Sequence, residues 1–181
     1  MFGGLRTINQ LFEIPCHEYT PELQIRLLGI ELSQLQEPIL NIGAGKEGKL
    51  VRFLRENGCE AYGIDKFCET DGYMHRADWL SFSFEANTWG TVISHMAFSN
   101  HFRHHHLRRD GQPRQYAEKY MEILHSIKHA GSFYYAPGLP FIEDLLPAEQ
   151  FAVRRTPVIP GKDDQSSWFG YPYAAQVTVY R

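Results

Sequence analysis

Cysteine is scarce in this sequence, and long apolar runs are missing. The three cysteines, Cys16, Cys59 and Cys68, stand far apart and form no CxxC pair, so neither a disulfide framework nor a zinc or iron–sulfur site is indicated. No stretch approaches the roughly 20 consecutive apolar residues that span a bilayer, and the first residues lack the apolar core of a secretory signal. We therefore expect a cytoplasmic protein with reduced thiols.

Neither positive nor negative charge is in large excess. The 18 basic and 21 acidic side chains give a net charge of −3, which argues against general affinity for nucleic acids or for membrane surfaces. The length of 181 residues suits one domain and is too short for two full ones. We therefore expect a single domain without a separate substrate-recognition domain.

Apolar residues recur at strand spacing in some segments and at helix spacing in others, and these two kinds of segment alternate along the chain. Thr20 and Pro21 predict the start of a helix that ends before Pro38, and further helices are predicted after Gly48 and around residues 116–127. The order of elements predicts a Rossmann-like, doubly wound α/β fold, in which a mostly parallel seven-stranded sheet has a C-terminal antiparallel hairpin and helices on both faces. Strands are predicted at 38–42, 60–64, 73–77, 91–95, 132–136, 151–159 and 174–180.

A glycine cluster directly follows the first predicted strand. Gly43, Gly45 and Gly48 form a GxGxxG pattern between that strand and a helix, where a backbone without side chains lets a ligand approach closely. Asp65 ends the next strand about 20 residues later, where its carboxylate can accept hydrogen bonds from both hydroxyls of a ribose. Either feature alone could be a plain turn or an exposed acid, but together they favour a nucleoside-containing ligand.

These segments resemble the class I S-adenosylmethionine-dependent methyltransferases over about Pro38 to Leu145. LNIGAGKEG is similar to that family's first motif, YGIDKF to its acidic second motif, ADWL to its third and TVISHMAFSNHF to the motif of its fourth strand. Asn41 stands where the family commonly has Asp or Glu, and Trp89-Gly90 where it often has Phe-Asp. The resemblance implies one methyltransferase domain with S-adenosyl-L-methionine as its cofactor. The domain would comprise a helical extension (1–37), a cofactor-binding core (38–145) and a strand pair (146–181).

The resemblance also implies a cofactor site across the carboxyl ends of the first four strands. Asp65 would bind the ribose, and Asp78 would meet the adenine amine. Trp79 and Phe98 could cover the adenine or the sulfonium, or they could simply pack in the core or at its rim. The cofactor-binding residues implied are Asn41, Gly43, Ala44, Gly45, Gly48, Asp65, Lys66, Asp78, Trp79, Ser94 and His95.

The methyl acceptor is expected to be a small molecule, because no added recognition domain is predicted. A protein base is needed only if the acceptor must lose a proton early, and His95 and His101 are the candidates. Both histidines could instead be structural or merely line the pocket. Residues predicted to contact the acceptor are Phe98, Arg103, Tyr134 and Tyr135.

The segment 98–113 is basic, rich in histidine and without an apolar period, so we predict a loop or an irregular lid. His101, His104 and His105 could share a helical face, but no cysteine or carboxylate stands at a supporting spacing, and no metal site is predicted. The segment is either a solvated basic loop or a surface that recognises an anionic acceptor. In the second case its arginines, Arg103, Arg108 and Arg109, would make the contacts.

Two other functions are also compatible with the sequence. An NAD(P)-dependent oxidoreductase would share the glycines and the ribose carboxylate. However, Tyr116 is followed four positions later by Tyr120 rather than by the lysine of short-chain dehydrogenases, and a second nucleotide-binding half is missing. A non-catalytic protein that binds S-adenosylmethionine, or a regulatory one, would keep the same pocket. The sequence does not predict the oligomeric state.

Overall fold

The computed structural model describes residues 19–158 and 172–181. Residues 1–18 of the predicted extension, Cys16 among them, and most of the segment between the last two predicted strands lie outside this part. The helices are α1 (Pro21–Leu28), α2 (Lys49–Glu56), α3 (Phe98–Leu107), α4 (Pro113–Ser126) and α5 (Pro140–Glu143). The strands are β1 (Ile39–Ile42), β2 (Ala61–Asp65), β3 (Met74–Arg76), β4 (Trp89–His95), β5 (Ile127–Ala136), β6 (Phe151–Pro157) and β7 (Tyr173–Val179).

The seven strands form one sheet in the order β3-β2-β1-β4-β5-β7-β6. The first five strands are parallel, and β7 runs antiparallel to both β5 and β6. This arrangement confirms the predicted fold class. Because β1 lies between β2 and β4, the winding direction of the sheet reverses there, and a crevice at the carboxyl ends of these strands is the usual ligand site of such sheets.

The core has two apolar layers, one on each face of the sheet. Successive strand residues alternate between them, as the period of a strand requires. Val92 and Phe133 belong to the layer with α3 and α4, whereas Ile93 and Tyr134 belong to the layer with α2. The prediction of helices on both faces is therefore confirmed.

The predicted loop at 98–113 was wrong, because residues Phe98–Leu107 form α3. Phe98 and Phe102, one turn apart, are buried on the same side of the helix, and their rings lie 5.7 and 5.8 Å from that of Tyr116 in α4. The hydroxyl of Ser94 accepts a hydrogen bond of 3.1 Å from the Phe98 amide at the helix start. Packing and this cap stabilise a histidine-rich helix that buries only two strongly apolar residues.

The first helix is shorter than predicted. It ends at Leu28, because Gly29 adopts a left-handed conformation (φ +63°) and its amide returns to carbonyl groups of the last turn. A short 3₁₀ turn at Leu32–Gln34 then leads to β1. Within residues 19–158 and 172–181, no helix is long and apolar enough to cross a membrane.

Candidate functional site

The turn from β1 to α2, residues 43–48, is named here the glycine turn. Gly43, Gly45 and Gly48 have φ angles of +69°, +80° and +59°, a left-handed region that strongly favours glycine. The amides of Gly43 and Ala44 both donate to the carbonyl of Ile64, at 2.9 and 3.1 Å. The turn is thereby tied to the carboxyl end of β2.

Two of these glycines also permit close packing inside the protein. A Cβ atom on Gly43 would lie 2.3 Å from the Cβ of Ala97 and 3.4 Å from the ring of Trp79. A Cβ on Gly48 would lie 2.6 Å from the sulfur of Met74. Packing and the left-handed backbone therefore favour glycine at these two positions whether or not a ligand approaches the turn.

Asp65 joins the glycine turn to the end of β2. Its Oδ2 accepts a hydrogen bond from the Gly45 amide at 3.0 Å, and its Oδ1 accepts one from the Phe67 amide at 2.8 Å. An ionised carboxylate has about four acceptor positions, so each oxygen can accept one further bond. Asp65 is only half-buried, and this remaining capacity suits the hydroxyls of a ribose.

A small cavity of about 30 Å³ lies beside the glycine turn. This volume holds little more than a water molecule and is far below the roughly 300–1,000 Å³ typical of pockets that enclose a small ligand, so it is a small hollow beside the turn rather than a pocket that encloses a ligand. The described residues that line it are Tyr19, Gln24, Gly43, Ala44, Gly45, Lys49 and His95.

His95 ends β4 at this cavity and is almost completely buried. The ring of Tyr19 meets the imidazole edge-on, with 4.8 Å between the ring centroids. Burial lowers the pKa of His95 from 6.5 to about 4. The imidazole is therefore neutral at pH 7.

A second group of side chains, Lys66, Asp78, Trp79 and His101, is named here the Asp78 cluster. Lys66 Nζ lies 2.8 Å from Asp78 Oδ2, and the rings of Trp79 and His101 meet edge-on at 5.2 Å. Burial, with a smaller effect of nearby basic groups, lowers the pKa of His101 to about 4. Because Trp79 also approaches Gly43, this cluster borders the glycine turn.

The two candidate bases thus occupy different places. His95 lines the cavity of the glycine turn, whereas His101 belongs to the Asp78 cluster. The structure does not combine them in one catalytic pair.

Other predicted cofactor residues have contacts inside the protein. Asn41 is buried in the middle of β1, and Ser94 caps α3. Phe98 is fully buried in the layer that contains α3 and α4, as the packing interpretation expects. Asn41, Ser94 and Phe98 are not among the described residues that line the cavity.

The residues predicted to contact the acceptor are dispersed. Tyr134 and Tyr135 point to opposite faces of the sheet, and neither is among the described residues that line the cavity. Tyr135 is fully buried and shares a hydrogen bond of 2.9 Å with the hydroxyl of Tyr120. Arg103 lies partly exposed on α3.

The basic segment has one internally paired arginine. Arg108 Nε donates to Asp110 at 2.7 Å, and a second guanidinium nitrogen binds the other carboxylate oxygen. His105 accepts a hydrogen bond from the Gln112 amide and stacks on the ring of Tyr116. Among the described residues, no group of three His, Cys, Asp or Glu side chains could hold a metal ion.

Glu143 has a structural role that is not apparent from the sequence. Its carboxylate is completely buried. It accepts hydrogen bonds from the Leu139 amide (2.6 Å), the Tyr135 and Tyr173 hydroxyls (2.9 and 2.8 Å) and Arg155 Nε (2.8 Å). These contacts fasten the turn after β5 to the hairpin of β6 and β7. The partners come from four separate elements, so no local sequence signal could reveal the network.

No family model matches this sequence, and no curated protein is similar to it in sequence. The fold, in contrast, is similar to that of solved structures. An S-adenosylmethionine-dependent methyltransferase from Archaeoglobus fulgidus matches with a TM-score of 0.55 at 15% identity, over 90% of this chain and 95% of that one. One from Mesorhizobium loti matches with a TM-score of 0.55 at 12% identity, over 82% and 95% of the two chains.

The plantazolicin methyltransferase BpumL, solved in complex with a triazolic desmethylPZN analog and SAH, has a similar fold. Its TM-score is 0.55 at 14% identity, over 96% of this chain and 88% of that one. These likenesses show that the chain has the fold of class I S-adenosylmethionine-dependent methyltransferases.

Proposed function

We propose that this protein binds S-adenosylmethionine across the carboxyl ends of β1 to β4 and transfers its methyl group to a small acceptor molecule. The observation that carries the proposal is the hydrogen bond of 3.0 Å between the Gly45 amide and Asp65 Oδ2. It joins an acidic side chain to the glycine turn, which lines a small cavity. The shared fold supports the same cofactor, and the plantazolicin methyltransferase was solved with SAH.

The residues present fit this cofactor. The methionine part would lie over the small cavity beside Gly43, Gly45 and His95. The free acceptor positions of Asp65 would receive the ribose hydroxyls. The carboxylate of Asp78, next to the glycine turn, would accept the adenine amine.

When bound, the cofactor supplies a methyl group on a sulfonium, which an acceptor takes by in-line displacement. The contribution of the chain is to align the two reactants and to exclude water. His95 lines the cavity and His101 does not, so we assign His95, rather than His101, as the group that would take a proton from an acceptor that must lose one. Arg103, on the partly exposed side of α3, would contact an anionic acceptor. Arg108 is engaged by Asp110.

The sheet favours methyl transfer over hydride transfer. Dinucleotide-binding sheets of the doubly wound type commonly have six strands in the order 3-2-1-4-5-6. Here the sixth and seventh strands form an antiparallel hairpin, and β7 lies between β5 and β6. A protein that binds the cofactor without turnover would have the same site, so activity must be measured separately from binding.

Replacing Asp65 tests the proposal. We expect Asp65→Ala to bind S-adenosylhomocysteine at least about tenfold more weakly than the wild type in calorimetry, because hydrogen bonds to a charged group are lost. Glu69→Ala, an exposed acid in the next loop, is the control and should keep wild-type affinity. Circular dichroism should show that both variants are folded.

Wild-type protein should bind S-adenosylhomocysteine but not NAD. Transfer of a labelled methyl group to small molecules of a metabolite extract would distinguish an enzyme from a binding protein. Wild-type affinity in Asp65→Ala, or binding of NAD alone, would contradict the proposed function.

A further inference from the structure

The ion pair between Lys66 and Asp78 bridges the ends of β2 and β3. The Ala77 amide donates to the Asp65 carbonyl at 3.0 Å and so extends the pairing of these strands beyond Arg76. This extension brings Lys66, which directly follows Asp65, to within 2.8 Å of Asp78. Two acidic side chains and the lysine between them therefore lie at one edge of the proposed nucleoside site.

Both oxygens of Asp78 have a partner inside the protein. Oδ1 accepts a hydrogen bond from the Leu80 amide at 3.0 Å, and Oδ2 is paired with Lys66. The terminal torsion of an aspartate is otherwise broad, so two partners on different oxygens hold the carboxylate in one orientation. Each oxygen keeps one acceptor position, and the side chain is 35% exposed, so a ligand can reach it.

Lys66 is the positively charged partner of Asp78 in this cluster. Burial opposes ionisation of Asp78, but the hydrogen bonds from Lys66 and Leu80 outweigh it and lower the pKa of the carboxyl. His101 is also near, but it is neutral at pH 7 because burial lowers its pKa to about 4. A half-exposed ion pair contributes little to the stability of a protein. Stabilisation of the fold is therefore not a sufficient role for the Lys66 side chain.

We propose that Lys66 is a positioning residue that makes the site select adenine, by holding Asp78 so that its carboxylate accepts the exocyclic amine. This inference rests on the proposed function and deepens it. An ammonium group has no acceptor, so Lys66 cannot bind the amine itself. It acts through Asp78, whereas the sequence motif suggested a direct contact with the cofactor.

The test compares two probes in calorimetry: S-adenosylhomocysteine and its analogue with purine in place of adenine, which lacks only the exocyclic amine. In the wild type, we expect the analogue to bind about tenfold or more weakly, because a hydrogen bond to a charged acceptor is lost. In Lys66→Met, this ratio of dissociation constants should fall towards one. Lys66→Arg keeps the charge and should keep most of the ratio.

Lys128→Met, at the opposite end of the parallel strands, is the matched control and should keep the wild-type ratio. If Lys66→Met weakens both probes by the same factor, Lys66 contacts the cofactor directly or supports the fold, and the proposal is overturned. A wild type that binds both probes equally also overturns it, while the binding of S-adenosylhomocysteine still supports the proposed function. A wild type that binds neither probe contradicts the proposed function itself.

Discussion

Replacing Gly43 by alanine should destabilise the protein strongly. The new side chain would occupy a left-handed conformation, which destabilises by about 1–2 kcal/mol, and its Cβ would lie 2.3 Å from the Cβ of Ala97. Overpacking of this kind destabilises by about 1–3 kcal/mol. The two terms together predict a loss of about 2–5 kcal/mol in the free energy of unfolding, measured by urea denaturation with circular dichroism.

A second substitution separates the two terms. Ala97→Gly removes the clashing atom, and the remaining Cα would lie 3.7 Å away, at ordinary contact distance. In a double-mutant cycle, Gly43→Ala should therefore be about 1–3 kcal/mol less destabilising in the Ala97→Gly background. Gly72→Ala is the control, since its Cβ would meet nothing within 4 Å. If the cycle shows no coupling, or Gly43→Ala is as stable as Gly72→Ala, the reasoning about the glycine turn is refuted.

Two further predictions concern buried groups. Glu143→Leu should lower the free energy of unfolding by about 2–5 kcal/mol, because the buried Leu139 amide and Tyr135 hydroxyl lose their acceptor. Asp144→Asn, on the exposed side, should change it by about 1 kcal/mol or less; similar urea midpoints would contradict this difference. The pKa of His95 is lower in the folded state (about 4) than in the unfolded state (6.5), so the unfolded state binds more protons between these values. Stability should fall by up to about 3 kcal/mol as the pH drops from 6.5 to 4. His95→Asn should show a shallower fall, and an unchanged pH profile would count against the burial of a neutral imidazole.

The sheet and the frame of the site could be predicted because they depend on local patterns. Short apolar runs that alternate with helical periods predict parallel strands, and parallel strands place their carboxyl ends at one edge. The glycine turn and Asp65 follow neighbouring strands, so their proximity follows from the strand order. The hydrogen bond between Gly45 and Asp65 is a consequence of that placement.

The features that were missed depend on contacts between distant segments. Helix α3 buries only two strongly apolar residues, Phe98 and Phe102. Tyr116 supplies packing for them, and Ser94 supplies the cap. Gly43 is required in part because it packs against Ala97, a contact that only the folded chain reveals. Sequence periodicity carries no information about such pairs.

A crystal structure of the protein soaked with S-adenosylhomocysteine tests the central claim most directly. We predict density for the ligand beside the glycine turn, with both ribose hydroxyls within hydrogen-bond distance of the Asp65 carboxylate. The adenine amine should lie against Asp78. Ligand density elsewhere, or an Asp65 carboxylate that contacts no ligand atom in an occupied site, would contradict the account.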